Sequence, residues 1–348
     1  MSCAGLVPVM ALAERAGLSE LISSKVAITT TRVASAAVNP AGKLTSIIAG
    51  MVAGADSIDD LDVIRSGGMP RLFGGVYACS TLGLFLREFT HGHTRQLASV
   101  GRAHLVNLVE RSGLLPGIDE QAFIDIDSLL RPVYGHTKQG ASYGHTKIAG
   151  RQVLRKGLSP LATTISTADG APVVAGIRLR AGRAGSGKGA ASMVREAIGT
   201  ARAAGAGGQI LVRGDSAYGN SAMVGACVQA GVRFSVGLTK NRAVHRAIAT
   251  ITDDAWTPVH YLGAVLDPDT GELISDAEVA EVASPRSLPP PTRSPRGWSC
   301  AASVTVPGWP NCSRSGAITR SSPTAARRPP TPTSPTAGTR SSRPCSPI

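Results

Sequence analysis

Long hydrophobic runs are absent from this chain of 348 residues. The longest apolar-leaning stretch, Leu44 to Ala55, is interrupted by Thr, Ser and Gly, and it is shorter than the roughly 18 residues that a membrane span requires. No basic segment precedes an apolar run at the N-terminus, which argues against a signal peptide. The six cysteines are scattered without a CxxC pair, which excludes a compact zinc site or a disulfide framework. We therefore predict a soluble, cytoplasmic protein.

Acidic residues are missing from the last part of the chain. After Glu281 there is no Asp or Glu, and the 66 residues from Ala283 to Ile348 contain 14 Pro, 13 Ser and nine Arg. These nine arginines supply most of the net charge of +13. Such a composition buries too little apolar surface to offset the entropy of ordering the chain. We predict a disordered tail over residues 283–348.

Two explanations of this tail remain open. The tail can be an arm whose arginines hold nucleic acid. Alternatively, it can be a GC-rich gene translated out of frame, because codons of G and C encode Pro, Arg, Ala and Gly. The whole chain has only seven Lys, so the gene is GC-rich throughout. The abrupt change in composition and the lack of repeats favour the frameshift.

Residues 1–115 have the pattern of short helices. Leu44, Ile47, Ile48 and Met51 recur at helical spacing, Asp56 and Ser80 are suitable N-caps for two more helices, and a further helix follows a break at Gly92. Interspersed arginines, Arg87 and Arg95 among them, are compatible with a DNA-binding surface. An ordinary helical domain with a solvated basic face explains the same pattern equally well.

From residue 121 the pattern becomes that of an α/β protein. Residues 122–127 alternate apolar with acidic side chains, as in a half-buried strand. Further strands are predicted over 158–166, 172–179, 209–213 and 233–237, and helices over 192–204 and 218–230. The order of strand, strand, strand, helix, strand, helix, strand predicts a mixed sheet flanked by helices.

Three aspartates are placed where such a sheet binds ligands. Asp125 and Asp127 are two residues apart on the first strand and point to the same face, and Asp215 comes just after the fourth strand. If these strands are neighbours, carboxylates converge at the sheet edge where open α/β sheets bind ligands. Oxygen donors without nearby His or Cys suit Mg²⁺ or Mn²⁺. The alternative is that they are surface-strand and turn or helix-capping residues.

A glycine-rich segment, residues 182–189, resembles a phosphate-binding loop between a strand and a helix. A working loop needs Ser or Thr after its Lys, and Gly189 follows Lys188, so we predict no nucleotide site. His91 and His93 are assigned to a helix end that favours a cation.

A short repeat follows the first pair of aspartates. The sequence Tyr-Gly-His-Thr-Lys occurs at 134–138 and again at 143–147. Lys138 and Lys147 could steer phosphate towards the metal site. A plain surface hairpin is an equally good interpretation of the same residues.

Four segments together resemble the group 1 DDE transposases of bacterial insertion sequences. They are SIDDLDVIRSGG (57–68), STLGLFLREFTHGHTRQL (80–97), FIDIDSLLRPVYGHTKQGASYGHTK (123–147) and ILVRGDSAYGN (210–220). The resemblance implies an RNase H-like catalytic fold with Asp127 as the first catalytic acid, Asp215 as the second and Asp125 as a close companion. It also implies two Mg²⁺ or Mn²⁺ ions.

The resemblance further implies DNA as the partner, specifically the terminal inverted repeats of the protein's own element. A homodimer on DNA and a nucleoid-associated location in a bacterial cytoplasm fit this expectation. Arg213 is then a further contact to phosphate.

The sequence departs from this family at two points. Leu129 occupies the place where family members usually have Thr. More importantly, the family places a third acid, a Glu, on a later helix, and no Glu follows Glu281. Glu272, Glu278 and Glu281 come too early and in turn-like surroundings. We therefore expect a transposase that is inactive as translated, or a DNA-binding remnant that recognises element ends without cutting them.

These inferences give four expected regions. Residues 1–115 form a helical DNA-binding domain, 116–255 an RNase H-like catalytic domain, 256–282 the start of a truncated insertion, and 283–348 the tail.

Overall fold

The computed structural model describes residues 3–29, 37–66, 75–135, 138–238, 242–259, 277–283 and 301–303. The N-terminal part is helical, as predicted. Its helices are α1 (Leu6–Arg15), α2 (Leu18–Lys25), α3 (Pro40–Val52), a 3₁₀ helix (Asp59–Arg65), α4 (Cys79–Arg87) and α5 (His91–Ser112). Apolar side chains of α2, α3, α4 and α5 meet in a small core around Ile22, Leu44, Phe85 and Val100.

The start of α5 differs from the prediction. Gly92 does not break the helix but lies in its first turn, and the chain leaves the helical path earlier, between α4 and Thr90. The Nδ1 atom of His93 accepts a hydrogen bond from the Thr90 backbone N–H at 3.0 Å. This reciprocal cap satisfies N–H groups that are otherwise unpaired at a helix start. His91 and His93 therefore mark the beginning of a helix, where an acceptor is useful, and not an end that favours a cation.

A five-stranded mixed sheet forms the second part of the chain. Its strands are β1 (Gln121–Ser128), β5 (Leu161–Ser166), β6 (Val173–Arg178), β7 (Gln209–Gly214) and β8 (Arg233–Val236), in the order β6-β5-β1-β7-β8. β1 pairs antiparallel with β5 and parallel with β7, and β8 is parallel to β7. The predicted fold class, α/β with a mixed sheet after an N-terminal helical part, is confirmed.

One face of this sheet builds the main core. Along β1, Ala122, Ile124 and Ile126 are buried while the intervening side chains are more exposed. This buried face packs against α6 (Ala190–Ala203), whose Met193 and Val194 belong to the same cluster, and α7 (Ser221–Ala230) packs beside α6. The opposite face therefore carries Phe123, Asp125 and Asp127, because successive strand residues alternate between faces.

A second, three-stranded sheet lies between β1 and β5 in sequence. It consists of β2 (Arg131–Pro132), β4 (Arg151–Leu158) and β3 (Ser142–Ile148), in that order. The predicted strand over 158–166 is wrong at its start, because Leu158 ends β4 and β5 begins at Leu161. The second copy of the repeat, 143–147, lies in β3 and so forms one strand of a hairpin with β4, whereas the described residues of the first copy precede β3 outside any strand. His136 and Thr137 lie outside the described residues.

The remaining elements are short. Helix α7 begins at Ser221 and not at the predicted Tyr218, because the Asn220 side chain accepts a hydrogen bond from the Met223 N–H and caps the helix there. It is followed by α8 (Arg242–Ile248) and a short 3₁₀ helix (Asp253–Ala255). Strand β9 (Thr257–Val259) pairs with β10 (Ala277–Val279), and β11 (Glu281–Ala283) pairs with β12 (Ala301–Ser303).

Most of the predicted tail, 283–348, lies outside the described residues; β12 and the last residue of β11 are the described parts of it. No described helix is long and apolar enough to cross a membrane.

Candidate functional site

Asp127 and Asp215 lie side by side at the carboxyl ends of two neighbouring parallel strands. In the register of β1 and β7, Asp125 is opposite Arg213 and Ile126 is opposite Gly214. Asp127 is the next residue of β1 and Asp215 comes directly after the end of β7, and both are exposed. The structure thus brings the two predicted catalytic acids to one edge of the sheet.

Local hydrogen bonds orient both carboxylates. Oδ1 of Asp127 accepts from the Ser128 backbone N–H at 2.6 Å. Oδ1 of Asp215 accepts from the Ala217 N–H at 2.9 Å, in the turn that also joins the Tyr218 N–H to the Asp215 carbonyl. A side chain that closes its own turn in this way is held near one position.

Asp125 is engaged differently. Both of its carboxylate oxygens accept from the Arg213 guanidinium, at 2.7 Å each. The guanidinium also stacks 4.6 Å from the Phe123 ring. Hydrogen bonding to Asp125 raises the pKa of Arg213 above its ordinary value. A metal ion at Asp125 or a phosphate at this face of Arg213 would therefore compete with the bidentate pair.

Tyr218 lies beneath the two acids. Its side chain is buried, and its hydroxyl has no hydrogen-bond partner with good geometry among the described residues. Burial raises the pKa of Tyr218 to about 12; the nearby Ser128 hydroxyl opposes this rise, and the charges of Asp127 and Asp215 add to it. The negative charges of both carboxylates therefore act on the hydroxyl, which remains protonated at neutral pH.

The glycine-rich loop is built around a buried cation. The Arg180 guanidinium, 9% exposed, donates to the carbonyls of Gly185, Ser186 and Lys188 at 2.8 to 3.2 Å. A phosphate-binding loop would instead present free N–H groups, but those of Ala184 and Lys188 already donate within the loop. The loop touches the site, because the Ser128 hydroxyl donates to the Ser186 hydroxyl at 3.2 Å.

The residues predicted to contact DNA are spread over the molecule. Arg87 ends α4 and is exposed, Lys138 is exposed just before β3, and Lys147 is opposite Gln152 within the hairpin. The side chain of Lys147 lies outside the described residues. Arg95, on α5, forms an ion pair with Glu196 at 2.8 Å.

Glu196 is the centre of a charge cluster that joins the helical part to the sheet. Besides Arg95, it pairs with Arg102 of α5 at 2.9 Å and with Arg178 of β6 at 2.7 Å. Burial acts to raise the pKa of Glu196, but the hydrogen bond and charges of the three arginines outweigh it, so the pKa is lowered. Glu196 therefore has a structural role, because its ion pairs hold the helical part against the sheet.

No third acid joins Asp127 and Asp215 in the described part of the chain. Within that part there is no group of three or more His, Cys, Asp or Glu side chains that could hold a metal ion. Glu278 and Glu281 lie in short strands and not in the turn-like surroundings expected from the sequence, and Glu272 lies outside the described residues.

A mixed sheet with acids beyond the carboxyl ends of neighbouring parallel strands defines the class of α/β proteins that bind ligands at this edge. Comparison with known families then narrows the class. The family described as "Transposase DDE domain group 1" matches residues 1–273, and the chain belongs to this family. No curated protein matches the chain.

The family generally uses divalent metal ions, and the donor set fits such an ion in part. Asp127 and Asp215 offer exposed carboxylate oxygens, which hard cations prefer. Asp125 has both oxygens engaged by Arg213. Sequence reasoning missed Tyr218, Arg180 and Ser186 as neighbours of the site. Of these three residues, Tyr218 alone could have been suspected from the sequence, because it follows Asp215 by three residues.

Proposed function

We propose that this protein is the transposase of a bacterial insertion sequence, a metal-dependent enzyme of DNA cleavage and strand transfer at element ends that is inactive as translated. The observation that supports this most is the adjacent placement of Asp127 at the end of β1 and Asp215 directly after β7, while the described residues contain no group of three or more acidic, His or Cys side chains that could hold a metal ion. Asp127 and Asp215 would hold Mg²⁺ or Mn²⁺, two ions in the complete site. Bound metal supplies an activated attacking oxygen and stabilises the leaving one.

The remaining residues have supporting roles in this proposal. Asp125 would join the metal ligands only after releasing Arg213, and in the ion-paired state it holds Arg213 against Phe123. Lys138, Lys147, Arg213, Arg87 and Arg95 would contact DNA phosphates of the terminal inverted repeats, with Arg95 doing so beside Glu196. The protein would act in the cytoplasm, as a homodimer on DNA, with residues 1–115 as DNA-binding domain, 116–255 as catalytic domain and 256–282 as the start of an insertion.

The missing acid explains the predicted lack of activity. Two carboxylates without the third leave a metal ion with fewer ligands and a less defined position, so the rate of transfer falls steeply. The family match ends at residue 273, shortly before the composition changes at Ala283. We attribute the change to a frameshift, and residues 283–348 are then out of frame.

Reading the gene tests this proposal first. Translation of the nucleotides after Val282 in the other two frames should give an apolar-patterned, acidic continuation with a Glu in a helical segment. If every frame gives only Pro, Ser and Arg, the tail is the genuine product and the frameshift is refuted.

A cleavage assay tests the chemistry. A supercoiled plasmid that carries the gene with its flanking DNA is incubated with Mn²⁺ and either the present chain or the chain with its frame restored. We expect the restored chain to nick the plasmid, its Asp215→Asn variant not to, and the present chain to bind without nicking. Nicking by the present chain that Asp215→Asn abolishes would show that two carboxylates suffice. Nicking that survives Asp215→Asn would refute the site.

The second candidate is a non-catalytic DNA-binding remnant. The absence of a group of three metal-binding side chains among the described residues favours it, together with the exposed Arg87 and Lys138. Under this alternative, restoring the frame gives no nicking while binding to the plasmid persists.

A further inference from the structure

The hairpin of β3 and β4 projects from the body of the protein as a two-stranded ribbon. Arg151 to Arg155, five consecutive residues of β4, are all exposed. Since alternate strand residues point to opposite faces, both faces of the ribbon are open to solvent over this length. At about 3.4 Å per residue, the six steps from Gly157 to Arg151 span roughly 20 Å.

The base of the ribbon is held by contacts with the body of the protein. Gly144 and Gly157 are buried there, and a Cβ atom on Gly144 would collide with the Gly182 carbonyl. The Arg183 N–H donates to the Ser142 hydroxyl at 2.9 Å, and β2 pairs with the end of β4. The ribbon is therefore clamped between β2 and the glycine-rich loop, and it leaves the body in a defined direction.

The ribbon is strongly basic. Residues 128–168 contain no Asp or Glu, whereas residues 131–158 contain six Lys or Arg. None of the ion pairs among the described residues involves Arg131, Arg151 or Arg155. Their charges are therefore available to an external anion.

Exposed side chains of other types lie along the same ribbon. Tyr143 is 62% exposed and Leu154 is 55% exposed. The register places Tyr143 opposite Lys156 and His145 opposite Leu154, so one face alternates donors with apolar groups. Lys156 Nζ donates to the Gly135 carbonyl at 3.3 Å, whereas the exposed Tyr143 hydroxyl is of a type that donates to phosphate oxygens. A two-stranded ribbon is narrow enough to enter the major groove of B-DNA.

The ribbon begins at the candidate site. Arg131 is four residues after Asp127, and β2 continues the chain from the carboxyl end of β1. A polyanion that follows the ribbon towards its base therefore arrives beside Asp127 and Asp215.

We propose that the β3–β4 ribbon, with Arg131 at its base, binds the backbone of double-stranded DNA and guides the duplex to the two aspartates. This inference rests on the proposed function for its partner, and it adds a surface that does not depend on metal. In the strand register Arg151 and Arg155 lie on one face of the ribbon, and Arg131 lies on the other face with Tyr143. Most of the affinity comes from phosphate contacts of these three arginines on the two sides of the ribbon, so the binding is insensitive to sequence and sensitive to salt.

A binding assay in EDTA tests the ribbon separately from the metal site. The probe is a fluorescein-labelled 30-base-pair duplex of random sequence, and its anisotropy is measured with the full chain at several salt concentrations. The test variant is R131Q/R151Q/R155Q. The matched control is R195Q/R233Q/R246Q, which removes three exposed arginines of equal charge from α6, β8 and α8, outside the proposed DNA-binding domain. Both variants must melt at the wild-type temperature.

The salt dependence gives the decisive number. Each lost phosphate contact reduces the magnitude of the negative slope of log K against log salt by about 0.9. The loss of three contacts in the ribbon variant should therefore make this slope shallower by about 3. Its affinity should fall at least tenfold at 0.1 M salt, with the control within twofold. Equal losses in both variants would overturn the proposal, because the overall field and not the ribbon would then bind DNA. Tighter binding of a single-stranded probe, or of anionic lipid vesicles, would overturn the assignment to duplex.

The failure of this inference is distinguishable from failure of the proposed function. Asp127→Asn and Asp215→Asn should not weaken binding in EDTA, because each removes a negative charge beside the duplex, while they abolish nicking by the frame-restored chain. If the ribbon variant bound the duplex as well as the control variant does, while the frame-restored chain still nicked the plasmid, the ribbon proposal alone would be refuted.

Discussion

Replacing Arg180 by Ala should destabilise the protein more than any exposed arginine substitution. The Arg180 guanidinium donates five hydrogen bonds, two to Ser159 at 2.9 and 3.1 Å and three to the carbonyls of Gly185, Ser186 and Lys188. A hydrogen bond to a charged group contributes about 1.5–3 kcal/mol, but such bonds in one network do not add fully. Water can replace the partners of the loop carbonyls, whereas Ser159 is buried.

We therefore expect R180A to lower the free energy of unfolding by about 3–5 kcal/mol, a large share of the roughly 5–15 kcal/mol of a typical domain. Urea unfolding followed by circular dichroism measures it. The control is R183A in the same loop, whose side chain is exposed and whose backbone alone binds Ser142. It should change stability by no more than about 0.5 kcal/mol. A loss below about 1 kcal/mol in R180A, or equal losses in both variants, would refute the reasoning.

Three further substitutions test other parts of the structure. E196Q leaves three arginines facing one another, so stability at pH 7 should fall by about 1–3 kcal/mol. Because the pKa of Glu196 is lowered in the folded state, the stability that Glu196 gives the wild type should be lost as the pH falls from the unfolded-state pKa towards the folded-state pKa. The free energy of unfolding of E196Q, measured by urea titration, should therefore fall less steeply with decreasing pH in this range. Y218F removes a buried hydroxyl that has no hydrogen-bond partner of good geometry among the described residues, so stability should stay equal or rise by up to about 1 kcal/mol in thermal melts; a clear loss would show that the hydroxyl is paired. A149G should stabilise the hairpin by about 1 kcal/mol, because Ala149 has a φ of 47°, and slower amide exchange in β3 and β4 would report it.

The turn at Ala149 shows how a tertiary arrangement can override a local signal. Ala149 and Gly150 both have positive φ, at 47° and 77°, which is typical of the two-residue turn that matches the twist of a hairpin. Alanine gives no indication of such a turn in the sequence. The hairpin could therefore be inferred only as one alternative for the repeat at 134–147, and its length and exposure could not be inferred at all.

The loop around Arg180 gives a second example. Its sequence resembles a phosphate-binding loop, yet its carbonyls face a guanidinium. Arg180 comes from the segment after β6. Nothing in the spacing of residues 182–189 indicates whether the backbone carbonyls or the backbone N–H groups of the loop point inwards. The same holds for Arg95 and Arg213, whose ion pairs with Glu196 and Asp125 join separate elements.

By itself the sequence determined the alternation of β1, the apolar stripe of α6 and the position of two acids at strand ends, because periodicity and turn residues act locally. Sequence also determined the composition of residues 283–348. Only the tertiary structure decided that β1 and β7 are neighbours in one register, that Arg213 engages Asp125, and that a basic ribbon rises beside Asp127. These features depend on contacts between residues far apart in the chain, and such contacts leave no mark in local spacing.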